Sequence, residues 1–418
     1  MARFRAEGAA PARAYRPRMT PLRTLIAGGG VAGLETLIGL RALAGDRVSI
    51  TVLDPEREFV YRPRSVGEPF AHRAAERRSL DAIASEFGAR HVVDSLARVQ
   101  PDDHLAVTTS GEELEYDALV VALGGRRRPA LRRAITFRGP EDSEAVHGLI
   151  QDVEEGYSRR IAFVVPGGVT WPLPLYELAL MTAARAAETG AAVELSFVTP
   201  EATPLALFGP IAGEEVAELL TAAGIDFRPS TYADVDASGV LWLRPEGREM
   251  RVDRIVALPV IDGPAVPGLP SDERGFIPVD AYGRVRDVED VYAAGDGTQF
   301  PVKQGGIAAQ QADIVAGDIA RRVGVKLALH PGRPVLRAKL LTGGTDRFMR
   351  HEATGGRGAS SEISNQALWW PPSKIAGAYL APYLGGQDLE PPAERELREI
   401  ELPVDGALEL ASLGARPH

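Results

Sequence analysis

Gly28, Gly30 and Gly33 stand at the G-x-G-x-x-G spacing in "LIAGGGVAGLETLIGL", between a short apolar run and a helix-forming stretch. A loop so poor in side chains is suited to touching a pyrophosphate. Gly28 permits the tight turn, Gly30 lets the backbone approach phosphates, and Gly33 lets the helix pack closely on its strand. The helix N-terminus, beginning at Val31 and Ala32, offers free N–H groups to an anion. Asp54 ends the apolar run "RVSITVLD" roughly twenty residues on, where a carboxylate can accept hydrogen bonds from an adenosine ribose. The same residues also permit a plain glycine-rich turn with no ligand.

These residues need a strand over 24–27, a helix over 35–43 and a second strand ending at Asp54. Beyond it, "PEREFVYRPRSVGEPF" mixes Pro, Arg and aromatic residues without helical period and reads as a loop. "RSLDAIASEFGARHV" reads as helix then strand. "HLAVTTSGEELEYDALVVALGG" alternates like a hairpin and ends in a buried strand over 118–122, which runs into Gly124 and Gly125. From residue 141 the pattern restarts with helix, strand "RIAFVVPGG", helix "LYELALMTAARAAETG" and strand "VELSFVTP", a second strand–helix–strand unit. "VEDVYAAGDGTQFPVKQGGIAAQQADIVAGDIARR" then gives an apolar strand, a Gly-Asp turn and a long helix.

A chain of 418 residues with 45% hydrophobic content has the core for two or three domains. Its formal charge of -10 argues against general nucleic-acid binding, which needs basic surface. Without cysteine there is no disulfide, thiolate metal site or redox dithiol. The seven histidines show no metal-ligand spacing, so no metal is assigned. No apolar run reaches roughly 18 residues, so no transmembrane segment is expected. A cytoplasmic location is expected, with peripheral contact at a membrane left open. Residues 1–21, rich in Ala, Arg and Pro, read as a disordered leader or as sequence upstream of a start at Met19.

Three elements, the 28–33 loop with Asp54, the strand "DALVVALGG", and "VYAAGD" followed by "KQGGIAAQQA", resemble the two-dinucleotide-domain FAD oxidoreductases. That group includes type II NADH dehydrogenases, sulfide:quinone oxidoreductases and ferredoxin reductases. The resemblance covers nearly the whole chain after residue 21. It implies that Ala122 and Gly124 border FAD, and that Gly295 and Asp296 hold its ribityl chain and phosphate. It further implies that Lys303, Gln304, Gly305 and Ile307 meet the flavin edge, where a helix N-terminus stabilises negative charge. The backbone near Leu96 would meet adenine, and Arg64 or its neighbours would approach the flavin; a solvated surface charge is the alternative for Arg64.

The second unit departs from this pattern. After "IAFVV" come Gly167 and Gly168 side by side, then Trp171, Pro172, Leu173 and Pro174, whose rings obstruct a second pyrophosphate. Thr199 stands where an NADH-selective acid or an NADPH-selective basic cluster is sought. The unit reads as a relic or as a nicotinamide site of altered pose. Sulfide:quinone oxidoreductases share a degenerate second unit but use paired cysteines, so a dithiol relay is excluded here. Glu177 matches a glutamate near flavin and nicotinamide in type II NADH dehydrogenases, with helix-dipole capping as the alternative. In "ALWWPPSKIAGAYLAPYL", Trp369, Trp370, Tyr379 and Tyr383 suit an interface: a lid on the flavin, a membrane-surface element or a dimer contact.

The expected fold class is α/β, with two Rossmann-like units and a C-terminal segment. An FAD-binding domain split over 22–138 and 269–330 encloses a degenerate NAD-type domain over 139–268, followed by a C-terminal cap over 331–418. The expected function is electron transfer from a small-molecule donor, NAD(P)H among the candidates, through FAD to a second acceptor such as a quinone. Glu177 and Lys303 are the candidate catalytic residues. The rivals are a flavoenzyme with a non-nicotinamide donor and a relic second unit, and a flavin-binding regulatory protein without turnover. Oligomeric state is not legible.

Overall fold

The computed structural model describes residues 20–72, 74–330, 334–352 and 360–385. The leader expected over 1–21 lies outside the described residues as far as residue 19, and the expected C-terminal cap is described only in part. Seven helices are described: α1 (Val31–Ala44), α2 (Leu80–Glu86), α3 (Ser143–Glu154), α4 (Leu173–Thr189), α5 (Pro210–Ala222), α6 (Gly305–Arg322) and α7 (Leu380–Gly385).

Two parallel five-stranded sheets organise the chain. The first runs Val291–Ala293, Ala118–Val121, Leu22–Ala27, Val48–Leu53, Arg90–Val92 in spatial order. Its central strands are largely buried because α1 and α6 cover one face and the antiparallel strands Leu96–Gln100, Leu105–Thr108 and Glu113–Glu115 cover the other. Strand order reverses between Leu22–Ala27 and Ala118–Val121, the crevice where open α/β sheets take ligands. The sheet recruits Val291–Ala293 from far along the chain, so the first Rossmann-like unit is discontinuous. The second sheet runs Ile135–Thr136, Arg254–Ala257, Arg160–Val164, Glu194–Val198, Ile225–Arg228 and repeats the same logic.

α1 and α6 pack side by side through small residues: a Cβ on Gly39 would lie 3.2 Å from Ala316 Cβ. Both helices therefore start at the same end of the first sheet. The segment expected as a loop after Asp54 differs from that expectation. It forms a short strand, Glu58–Val60, and a 3-10 run, Arg62–Phe70, whose three-residue period escapes a search for α-helical spacing.

The C-terminal segment ties the two units together. Its antiparallel sheet, Val335–Leu340, Arg347–Glu352 and Ser360–Ser364, places Leu336, Leu340 and Met349 in the core of the second unit. Ile375 and Leu380 belong to the core of the first. Each such buried side chain contributes about 1.5–3 kcal/mol.

Candidate functional site

The glycine loop is shaped by close approach. Gly28 has φ +112°, and a Cβ there would lie 2.3 Å from Ala122 O; a Cβ on Gly33 would lie 1.8 Å from Gly28 O. At Gly30 the opposite holds: nothing stands within 4 Å of the same position. Gly30 is also the N-cap of α1, which has no side-chain cap and no acidic residue in its first turn. Its leading N–H groups thus face open space with the positive helix end behind them, a cradle that fits a pyrophosphate. Asp54 closes the loop from outside: Oδ2 accepts from Gly29 N at 2.6 Å and Oδ1 from Glu56 N at 2.8 Å. Each oxygen keeps a lone pair for a further donor such as a ribose hydroxyl.

The second rim comes from the turn after Val291–Ala293. A Cβ on Gly295 would meet Ala32 Cβ at 3.3 Å and Ala308 Cβ at 3.4 Å, so this turn wedges between the starts of α1 and α6. Asp296 follows and lines a cavity of about 210 Å³ between the two units. Burial raises its pKa above the ordinary carboxylate value, opposed by Arg127 and Lys303. Lys303 lines the same cavity but turns its ammonium toward Thr298 O at 2.6 Å and Phe300 O at 2.7 Å, over the Phe276 ring. Burial lowers its pKa to about 8, against the pull of Asp296 and Asp272. Gln304 caps α6, its Oε1 accepting from Ile307 N at 2.9 Å, while its Nε2 donates to Arg337 O. Ile307 N is therefore already engaged, and Gly305 remains at the open helix end on the cavity wall.

From the second unit, Trp171 and Pro174 line the cavity, and Trp171 packs on Phe208 with ring centroids 5.9 Å apart. Thr170 Oγ1 donates to Pro301 O at 2.7 Å and fastens this loop to the one preceding α6. Pro174 stands in the first turn of α4 and has no N–H to give an anion. At the end of Glu194–Val198, Glu201 turns inward: its Oε2 accepts from Tyr176 Oη at 2.7 Å and from Thr199 Oγ1 at 3.1 Å. Burial raises its pKa to about 7, with the Tyr176 and Thr199 hydrogen bonds opposing.

Glu177 does not cap α4. It lies beyond the first turn, buried, with its two carboxylate oxygens 2.6 and 2.7 Å from Lys374 Nζ and Oε1 also accepting from Leu341 N. Burial raises its pKa, and Lys374 opposes. Both side chains line the cavity.

The structure thus gathers Asp296, Lys303, Gln304, Gly305 and Glu177 on one cavity, and separately packs Gly28 on Ala122 and Gly295 on Ala32. Leu96 opens the strand Leu96–Gln100 and packs in a separate apolar cluster, away from the cavity lining. Gly124 sits at φ +67° beside the Asp296 turn, its O close to Gly297. Arg64 is absent from the cavity wall; it approaches Glu76 at 3.7 Å and the Tyr61 ring, and Arg62 faces the cavity instead. Sequence reading missed Lys374, Arg127 and the Tyr176–Glu201 contact. Only the run "GGRRRP", a basic cluster behind a nucleotide strand, carried a signal for Arg127. Among the described residues no cluster of His, Asp and Glu could hold a metal, and no helix is long and apolar enough to cross a membrane.

Comparison with known proteins agrees with this architecture. The structure is similar to sulfide:quinone oxidoreductase from the hyperthermophilic bacterium Aquifex aeolicus, with TM-score 0.74 and 19% identity over 82% of this chain and 87% of that one. It is also similar to a ferredoxin reductase from Rhodopseudomonas palustris, with TM-score 0.62 and 21% identity over 80% and 83% of the two chains. In sequence, the chain is 28% identical over 196 residues to the sulfide-quinone reductase of Aquifex aeolicus, covering 42% of this chain and 43% of that protein. It is 30% identical over 105 residues to a mitochondrial sulfide:quinone oxidoreductase of Dictyostelium discoideum, 24% of this chain and 23% of that protein. The matched stretches thus span less than half of these curated relatives. A family model, pyridine nucleotide-disulphide oxidoreductase, matches residues 22–312, well over half the chain, and the chain belongs to that family.

Proposed function

We propose that the protein is an FAD-dependent oxidoreductase that takes electrons from a small donor on the side of the second unit and passes them to a second acceptor. The observation that carries this reading is the Gly295–Asp296 turn, which wedges between the starts of α1 and α6 beside the uncapped Gly30 end of α1, while Asp296 and Gly305 line the cavity. In this reading Gly28, Gly30, Gly33 and the first turn of α1 hold the pyrophosphate, Asp54 the adenosine ribose, and Asp296 the ribityl chain. Gly305 and the start of α6 face the pyrimidine edge, where positive helix-end charge favours the anionic reduced form. FAD supplies the acceptance and onward transfer of two electrons. The chain supplies orientation and protons: Glu177 and Lys374 form a buried pair able to hold a proton at the cavity edge, and Lys303 carries an ammonium whose lowered pKa suits proton exchange. A quinone is the favoured acceptor, by analogy with the Aquifex aeolicus relative's name. With no cysteine, electrons cannot pass through a dithiol.

The Tyr176–Glu201 contact favours a donor other than NAD(P)H. Glu201 is the first acid after the strand Glu194–Val198, and two hydroxyls, Tyr176 and Thr199, fill its Oε2 and turn it toward the protein; Trp171 and Pro174 stand in the loop where the phosphates would approach. The second unit then acts as scaffold and donor-side wall.

Anaerobic mixing of flavin-loaded protein with NADH, NADPH and dithionite, followed by visible absorbance, tests this reading. Reduction by dithionite alone is expected. Rapid bleaching by either nicotinamide would restore the second unit as a nucleotide site, and a purified protein that takes up no FAD would end the reading altogether.

A further inference from the structure

The strand Arg126–Arg128 lies antiparallel to Val260–Asp262 and exposes three consecutive arginines. Strand alternation divides them. Arg126 Nε donates to Gly263 O at 3.0 Å, and Arg128 Nε to Asp262 Oδ2 at 2.7 Å, both toward the partner strand. Arg127 faces the other way. It lines the cavity, its side chain is exposed there, and among the described residues no hydrogen bond or ion pair engages its guanidinium.

The other cationic side chains on that wall have partners. Lys374 pairs with Glu177, Lys339 with Asp346, Arg274 with Asp262 and Arg62 with Glu141. Arg127 has only distant compensation: the charges acting on it are the like charge of Arg62 and the carboxylates of Asp296 and Glu141, none of them paired with it. Five N–H donors open to solvent and without a protein acceptor can exchange water for an anion on this partly apolar wall. Phe137, Trp171 and Leu258 supply apolar wall in the same cavity of about 210 Å³.

We propose that Arg127, backed by Arg62, receives the anionic group of the electron donor, a small carboxylate or oxyanion entering from the side of the second unit. This rests on the flavoprotein reading above and names the donor's chemical class. A planar guanidinium matches a carboxylate or oxyanion through two parallel hydrogen bonds, which also fixes the donor's orientation in the cavity.

The test is equilibrium titration of oxidised, flavin-loaded protein with oxalate and, separately, sulfate, read as a flavin difference spectrum. Wild type, Arg127→Gln, Arg127→Lys and the remote surface variant Arg98→Gln are compared, with flavin content measured for each. A saturable perturbation is expected in wild type and Arg98→Gln. Dissociation constants should rise about tenfold or more in Arg127→Gln and less in Arg127→Lys, with flavin content unchanged. Wild-type anion affinity in both Arg127 variants overturns the proposal, as does the absence of any saturable perturbation from flavin-loaded wild type. Loss of flavin from both variants also overturns it, because Arg127 would then serve the cofactor itself. In these outcomes flavin binding by wild type survives; a wild type that binds no flavin removes the underlying reading and the proposal together.

Discussion

Lys374 Nζ lies 2.6 and 2.7 Å from the two carboxylate oxygens of Glu177, with 8% of one side chain and 1% of the other exposed. The pair joins the C-terminal segment to α4 across a gap of 197 positions in the chain. Removing one partner leaves the other charge buried alone, so Glu177→Gln or Lys374→Met should each destabilise by about 3–5 kcal/mol. The double variant should recover part of that loss, with a coupling energy of about 1–3 kcal/mol in a urea-denaturation cycle. Strictly additive losses would show that the two side chains do not act as a pair.

Glu201 should make stability fall as the medium is made less acidic. Its pKa is raised from 4.5 to about 7, so between those values the unfolded chain releases a proton that the folded chain retains. The unfolded state then binds fewer protons, and stability declines as pH rises through this window, by at most about 3 kcal/mol. Glu201→Gln should flatten that part of the profile. An unchanged slope in thermal melts across the window would contradict the inward placement of this carboxyl.

Gly30 and Gly33 should separate cofactor binding from folding. A Cβ at Gly30 meets open space and its φ of -77° suits any residue, so the flavin-free Gly30→Ala protein should keep its stability within about 0.5 kcal/mol. Flavin retention on gel filtration should nevertheless drop sharply. Gly33→Ala presses into Gly28 O and should destabilise the flavin-free protein by about 1–3 kcal/mol or more. Equal flavin retention in Gly30→Ala and wild type would place the pyrophosphate elsewhere.

Glu35 of α1 and Asp313 of α6 form a buried carboxyl pair. Burial raises both pKa values, and the two acids share a hydrogen bond. The folded form holds a proton here that the unfolded chain gives up, so the pair's contribution is present in acid and is lost as pH rises. Asp313→Asn keeps a donor toward Glu35 without that proton. The variant should match wild type in mildly acidic buffer and exceed it in melting temperature in alkaline buffer; a constant difference at every pH would show that the pair does not titrate.

The glycine turn was legible because its geometry is local: Gly28, Gly30 and Gly33 lie within six consecutive residues, and the backbone dictates their type. The bulk of Trp171 and Pro174 after the second unit's first strand was legible for the same reason. Arg62 and Arg64 were not separable, since a 3-10 run, unlike a loop or an α-helix, decides which of the two meets the cavity. Gln304 was read only as a ligand contact; it lines the cavity and also caps α6 through Ile307 N, a second role that its spacing from Ile307 could have signalled. Lys374 offered no local sign at all. Its role depends on a segment that returns across both units, and neither composition nor periodicity encodes where such a segment lands.

That return has a consequence for the order in which the chain is made. Glu35 accepts from Tyr379 N at 2.7 Å and Leu380 N at 2.9 Å, partners 344 and 345 positions downstream. Helix α1 leaves the ribosome before the whole second unit is made, and domains usually fold while synthesis continues. Here its buried carboxylate waits for almost the last described residues before it is covered. The first unit is therefore completed only after the second has been synthesised, and a nascent chain stalled in the second unit would carry an unsealed α1–α6 groove for as long as the stall lasts.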